Sequence, residues 1–91
     1  MIELITISQT GVQWYLNKVI INSQHIATVM ESREHNQLLS EGKINLGFDD
    51  SIRFSRVKMA VVSGFNELIV VGSPSAILEK VNKNNKQLLK G

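Results

Sequence analysis

Apolar and polar residues alternate along most of the chain, which is the pattern of strands that bury one face. Segment 2–8 carries apolar residues on both sides of an extended chain, so we expect a strand that is central or covered on both faces. After a turn at 9–11, Val12, Trp14 and Leu16 alternate with more polar neighbours. This alternation predicts a second, half-buried strand with Trp14 pointing inward.

The β-branched run at 19–21 is interrupted by Asn22 and Ser23. Side chains of these two types bond nearby backbone amides and favour turns and helix caps. We therefore expect a turn here, with room for one helical turn, and then a third strand at about 25–31. The polar segment 32–42 predicts a loop that contains at most a short helical turn.

The alternation of apolar and polar residues returns in the second half of the chain, where the apolar positions change face once. Residues 43–48 alternate again, and the apolar positions within 52–61 fall first on one face and then on the other. A β-bulge near 55–56 would reconcile these two registers. A hairpin turn at 63–66 then leads into a strand at 68–71.

The stretch that begins at Ser73 predicts a C-terminal helix. Serine is a favoured N-cap, and proline is accepted at the first helical position, which Pro74 occupies. Ile77, Leu78 and Val81 follow at helical spacing and predict one apolar stripe. The elements together predict an α+β fold: a strongly bent antiparallel sheet of five or six short strands, which could close into a barrel, with one C-terminal helix packed on it.

Composition is typical of a small folded domain. Of 91 residues, 43% are hydrophobic and 20% are charged, so we expect one domain over 1–91. A domain of this size is marginally stable alone, and oligomerisation is a common remedy. The absence of cysteine excludes disulfides and thiol nucleophiles and suits a reducing cytosol. Because no apolar run is long enough to span a membrane and no basic leader precedes the first strand, we expect a cytoplasmic protein, in a bacterium or an infected host cell.

Two blocks of the sequence resemble the FlbD/SwrD-like family of very small proteins. The first block runs from an aliphatic pair and Asn to an acidic residue, and the second contains a strand, a Gly turn, a strand, Ser and a short helix. The matching positions are Ile20, Ile21, Asn22, Ile26, Val29, Glu31 and residues 57–81. The chain departs from the family at 9–18 and at 32–56. The resemblance implies a similar fold, a turn shaped by Asn22 and a link to flagellar motility or to phages, and it implies no catalytic residues.

Candidate catalytic and metal-binding residues are few. Histidine titrates near neutrality, but His25 has no nucleophile motif beside it, so a structural histidine is the favoured interpretation. His35 lies in the polar segment, where we expect a solvated side chain. With Glu31 and Glu34 it forms a loose cluster that lacks the spacing of an EF-hand or zinc motif. We therefore predict no enzymatic activity, no metal site and no cofactor.

Basic residues support an alternative function, nucleic-acid binding. The net charge of +2 and the pI of about 9.2 are below the charge density of a dedicated DNA-binding protein. Four side chains could still line one strand face and contact phosphates. These are Arg33, Arg53, Arg56 and Lys58. A solvated strand face explains the same charges equally well.

Protein interaction is the function that requires the fewest special residues. Apolar residues on both faces of the first strand and in 57–62 exceed what one small core covers. A sheet also has edge strands with unpaired backbone groups. We therefore expect a non-catalytic adaptor or inhibitor that binds a protein partner through a sheet edge or an apolar patch and forms a homo-oligomer. The predicted contact residues are Trp14, Tyr15 and Leu88.

Overall fold

A computed structural model describes residues 1–49, 51–62 and 64–90, with the side chains of these ranges as far as Asn84. The elements in chain order are β1 (Ile2–Thr10), β2 (Gln13–Ile21), a 3-10 turn (Ser23–His25), β3 (Ile26–Glu31), α1 (Arg33–Ser40), β4 (Phe54–Val61), β5 (Gly64–Val71) and α2 (Pro74–Lys90).

The five strands form one antiparallel sheet in the order β2-β1-β5-β4-β3. This confirms the predicted α+β fold with its antiparallel sheet and C-terminal helix. β1 pairs with β2 along its whole length, and β4 does the same with β5, so the sheet is built from two long hairpins. The hairpins join through antiparallel pairing at Thr6 of β1 and Val70 of β5. β3 adds to the outer side of β4, which leaves β2 and β3 as the two edges.

A short link between the two edges bends the sheet. Four residues join Ile21, at the end of β2, to Ile26, at the start of β3. Four strand spacings in a flat sheet would separate these strands by about 19 Å, whereas five extended residue steps reach only about 17 Å. The 3-10 turn shortens this reach further. The sheet is therefore strongly bent at this end, but it stays open because β2 and β3 do not pair.

The link also fixes the N-terminus and α2. Asn22 Oδ1 accepts a hydrogen bond from Gln24 N at 3.0 Å, which is the capping interaction that the sequence predicts. The buried Ser23 donates from Oγ to Asn84 Oδ1 of α2 at 3.3 Å. Asn84 Nδ2 in turn donates to the carbonyl of Met1 at 2.8 Å. Met1 and α2 are thus both tied, through Asn84, to the link between β2 and β3.

Each face of the sheet carries its own hydrophobic core. α2 covers one face, which we call the α2 face. Its buried residues are Ile2, Leu4, Ile21, Val57, Val70 and Ile77. α1 and residues 43–52 cover part of the opposite face, the α1 face. Its buried residues are Ile7, Leu39, Ile44 and Phe54.

β4 explains the change of apolar register in the sequence. Phe54 belongs to the core of the α1 face and Val57 to that of the α2 face. β4 nevertheless pairs with β5 without interruption. The bulge predicted near 55–56 is therefore wrong, because the change of register marks a strand that is covered on both faces. The irregular pairing lies in β3, between Ile26 and Thr28.

The segment between β3 and β4 also differs from the expectation. The polar segment 32–42, for which the sequence predicts a loop, contains the eight-residue helix α1, whose Leu39 is buried. Residues 43–48 alternate like a strand but pair with no strand of the described sheet. Ile44 is buried, and Leu46 and Phe48 pack against the same core. Residues 43–48 therefore bury alternate side chains against the α1 face without forming a strand.

α2 begins where the sequence predicts. Ser73 Oγ accepts a hydrogen bond from Ala76 N at 3.1 Å, which is the expected N-cap. Ile77 is buried and Val81 packs against the core of the α2 face. Leu78, by contrast, is 58% exposed. The predicted stripe is therefore divided between the core and the surface.

Phe54 is the largest fully buried side chain, with 0% exposure, so Phe54→Ala should lower the free energy of unfolding by about 3–5 kcal/mol. Phe65→Ala is the matched control, because Phe65 is 64% exposed, and its cost should stay below about 1 kcal/mol. Urea denaturation of the two variants provides the comparison. Equal losses would contradict the assignment of Phe54 to the core.

Candidate protein-interaction surface

The outer edge of β2 is long and has no covering element among the described residues. β2 has nine residues, and its pairing with β1 contains no proline and no bulge. Six of the nine residues are exposed: Gln13, Tyr15, Leu16, Asn17, Lys18 and Ile20. Among the described residues, no backbone hydrogen bond joins this edge to another segment. A long strand edge that lacks a bulge or a covering element is a place where another strand can pair.

Apolar side chains flank this edge on both faces of the sheet. Leu16 and Ile20 lie on the α1 face beside Ile5 of β1, and Ile20 is 67% exposed. Tyr15 lies on the α2 face, where its hydroxyl is hydrogen-bonded to Thr10 Oγ1. We call the outer side of β2, with the exposed side chains of Tyr15, Leu16 and Ile20, the β2 edge.

Lys18 is the one charged residue of β2. Its Nζ lies 3.2 Å from Glu3 Oε1 of β1, and both side chains are exposed. A lysine on an edge strand opposes pairing with a second strand, unless the register places it away from another positive charge.

The predicted contact residues Trp14 and Tyr15 lie on opposite faces of the sheet, because consecutive strand residues alternate. Trp14 is half-buried, and its Nε1 donates to the carbonyl of Lys43 at 3.1 Å. Its ring meets His35 edge-on, with the centroids 5.8 Å apart. Trp14 therefore anchors the covering segment of the α1 face, and Tyr15 is the more exposed of the pair. The side chain of Leu88 lies outside the described residues, so its contact role stays a prediction.

A second candidate surface lies between the other sheet edge, β3, and α2. It is a groove of about 430 Å³. The lining residues are Ser23, Ile26, Ala27, Thr28, Val29, Pro74, Ser75, Leu78 and Val81. None of these side chains is charged. A neutral groove beside a strand edge suits an extended segment, because the edge can bond its backbone while apolar side chains enter the groove.

The four basic residues of the alternative hypothesis do not form one open row. Arg56 Nη1 lies 2.8 Å from Glu67 Oε1, and its Nη2 lies 3.9 Å from Glu34 Oε2. Lys58 Nζ lies 6.0 Å from the ring centroid of Phe65. These contacts compete with phosphate for the two cations that project from the same face of β4.

The other two basic residues lie outside β4. Arg33 is exposed at the first position of α1. Arg53, immediately before β4, donates from Nη1 to the carbonyl of Ile52 at 3.0 Å. The four side chains therefore come from three parts of the chain, which are α1, the residue before β4, and β4 itself. Nucleic-acid binding stays an alternative proposal.

His35 is the polar residue whose environment the sequence did not reveal. The sequence predicts a solvated side chain, but His35 is half-buried on α1, and its ring contacts those of Trp14 and Phe54. Its Nδ1 lies 2.8 Å from Oγ of the buried Ser32. Burial lowers the pKa of His35, and the nearby Arg56 adds to this effect, while Glu34 partly opposes it.

The Ser32–His35 pair has a structural explanation. Ser32 is the N-cap residue of α1, and its backbone N donates to the carbonyl of Phe54 at 2.9 Å. Its hydroxyl bonds to His35, three residues later, where a capping box usually places Glu or Gln. Ser32 is only 1% exposed, so a substrate could not reach its Oγ. The pair therefore fixes the start of α1 against β4. The spacing of Ser32 and His35 could have suggested this side-chain contact, although the Ser32 hydroxyl caps no backbone amide of α1.

The remaining titratable candidates are dispersed. His25 is exposed at the end of the 3-10 turn. Glu31 Oε1 accepts a hydrogen bond from Asn36 Nδ2 at 3.1 Å, and Glu34 is directed toward Arg56. Within the described ranges, no three His, Asp or Glu side chains come together in a way that could hold a metal ion.

Comparison of the chain with protein-family models, with curated proteins and with solved structures finds no match. No described helix combines the length and the apolar character that crossing a bilayer requires. Conclusions about function therefore depend on the surfaces themselves.

The lowered pKa of His35 predicts a loss of stability on acidification. Because the unfolded chain binds the proton more readily than the folded one, the free energy of unfolding should fall as the pH drops below the ordinary value of 6.5 toward the lowered pKa. Urea titrations between about pH 7.5 and 5.5 measure this slope, in a range above the titration of most carboxylates. His35→Gln should flatten the slope, whereas the exposed His25→Gln serves as the matched control. An unchanged slope in His35→Gln would contradict the assignment.

Proposed function

We propose that this protein is a non-catalytic protein-interaction module that binds through the β2 edge and self-associates. The single observation that carries this proposal is the nine-residue outer edge of β2, which has six exposed residues and no bulge or proline. Unpaired backbone groups at such an edge supply the hydrogen bonds of a strand–strand contact. The exposed Tyr15, Leu16 and Ile20 supply the apolar area.

The second edge strand supports the choice of β2. β3 has six residues, and its pairing with β4 is irregular between Ile26 and Thr28. Short edges and bulges are common ways to protect a sheet from unwanted pairing. β2 has neither of these features, and Lys18 is its only charged residue. The difference between the two edges favours β2 as the surface for self-association.

The groove between β3 and α2 would serve a different partner, and this would make the module an adaptor. β2 and β3 are opposite edges of the sheet, so pairing through β2 does not use the edge beside the groove. A segment that fits the groove would be extended and uncharged, because the lining offers no ion pair to a buried charge.

Nucleic-acid binding is the weaker proposal, because Glu67 and Glu34 already pair with Arg56. The two blocks of the FlbD/SwrD-like resemblance fall on the β2–β3 turn and on β4, β5 and α2. Membership of that family, a phage origin and a cytoplasmic location stay predictions.

Self-association is tested with the double variant Leu16→Lys and Ile20→Lys, which adds positive charge and removes apolar area at the β2 edge. We expect it to weaken self-association at least tenfold, or about 1.4 kcal/mol. Light scattering over a dilution series measures the mass of each form. Val12→Lys is the matched control, because Val12 is 95% exposed at the turn of the same hairpin. A wild-type protein that remains monomeric at all concentrations would overturn the proposal.

The groove is tested by selection from a displayed library of random peptides. The wild-type protein should enrich peptides that have uncharged apolar residues at alternate positions, and Leu78→Glu should abolish that enrichment because it places a charge in the groove. Val62→Glu controls for added charge at an exposed apolar residue elsewhere. Enrichment that is equal in both variants would exclude the groove as the binding site.

A further inference from the structure

We propose that two copies of this chain pair through their β2 strands to form one continuous ten-stranded sheet. The strands are antiparallel, and Asn17 of one copy lies opposite Asn17 of the other across the two-fold axis. This inference rests on the proposed self-association, and it specifies the partner, the strand and the register. It follows from the symmetry of a homodimer together with the residues that β2 presents.

Symmetry limits the registers that are available. A two-fold axis that pairs an edge strand with its own copy is perpendicular to the sheet and preserves its two faces. Residues directly opposite each other in an antiparallel ladder point to the same face. Paired residue numbers must therefore be both even or both odd. One residue of β2 must consequently lie directly opposite its own copy, with the axis between the two.

The length of β2 selects Asn17 as that residue. β2 extends over Gln13–Ile21, and Asn17 is its midpoint. Only with Asn17 opposite its own copy do all nine residues overlap, with Gln13 opposite Ile21 at each end. Moving the axis to Leu16 or to Lys18 leaves residues at the strand ends unpaired.

The charges and side chains of β2 favour the same register. An axis at Lys18 would place two lysines directly opposite each other, which is destabilising. With the axis at Asn17, Lys18 instead lies opposite Leu16 of the second copy, and it keeps its own ion pair with Glu3.

Two aromatic side chains also gain suitable partners in this register. Tyr15 lies opposite Val19 of the second copy on the α2 face, and Trp14 lies opposite Ile20 of the second copy on the α1 face. Each contact occurs twice by symmetry. Aromatic residues opposite β-branched residues are among the stabilising cross-strand pairs. β2 is thus complementary to itself around Asn17.

A head-to-tail assembly, with β2 of one copy on β3 of the next, is less favourable. β3 offers six residues with an irregular register, so it would leave part of the nine-residue β2 edge without a partner. Such a contact also produces rings or open chains in place of a closed dimer. The mass and the cross-linking pattern distinguish the two assemblies.

The register is tested with single-cysteine variants, because the chain contains no cysteine of its own. In the proposed dimer, Asn17 faces its own copy with the two Cα atoms about 4.5–5.5 Å apart, which is within the range of a disulfide. Asn17→Cys should therefore form a disulfide-linked dimer under oxidised glutathione about 100-fold faster than Val12→Cys, because the paired thiols are held at a millimolar effective concentration.

Further variants separate this register from its neighbours. A mixture of Tyr15→Cys and Val19→Cys should cross-link, whereas each variant alone should not. Faster cross-linking of Leu16→Cys or Lys18→Cys with itself would place the axis elsewhere and overturn the proposal. Light scattering of the wild-type protein separates the two levels of the hypothesis. A dimer in which Asn17→Cys fails to cross-link overturns the register alone, whereas a monomer overturns self-association as well.

Discussion

The architecture depends on the four residues that carry the chain from one edge of the sheet to the other. Because the link from Ile21 to Ile26 is shorter than the width of a flat five-stranded sheet, the strands must converge at that end. The convergence brings Ser23 to α2, where Asn84 also bonds to Met1. A local turn thereby sets the curvature of the sheet, the position of the C-terminal helix and the location of both edges.

This curvature gives the small sheet a core on each face and determines which strands remain exposed. α2 lies over one face, and α1 with its following segment covers part of the other. Neither cover reaches most of β2, which retains exposed Tyr15, Leu16 and Ile20. Because α1 and α2 each cover only part of a face, β2 is left with an unpaired edge and with exposed apolar residues on both faces. A second strand would satisfy both the backbone groups and the apolar area at once.

The sequence predicted the two hairpins, the capped turn at Asn22 and the start of α2 at Pro74, because these features depend on neighbouring residues. It placed the second turn at 63–66, whereas β5 already begins at Gly64. It also predicted that Trp14 points inward. It did not predict that Trp14 and Phe54 enclose His35, since these three rings come from distant positions and meet only after the α1 face is assembled. The change of register in β4 was misread for a related reason, because a strand with two covered faces has the same apolar pattern as a bulged strand with one.

Sequence alone therefore determined much of the local structure. The alternating segments outside 43–48 became strands, and Ser73 with Pro74 began a helix, because hydrogen bonds and burial within a few residues decide these outcomes. Only the tertiary structure decided the order of the strands, the placement of β2 and β3 at the edges, the helical cover formed by α1 and the neutral groove beside α2. Each of these depends on contacts between residues that are far apart in the chain. The outer side of β2 can be identified as an unpaired edge only once the pairing of the other four strands is known.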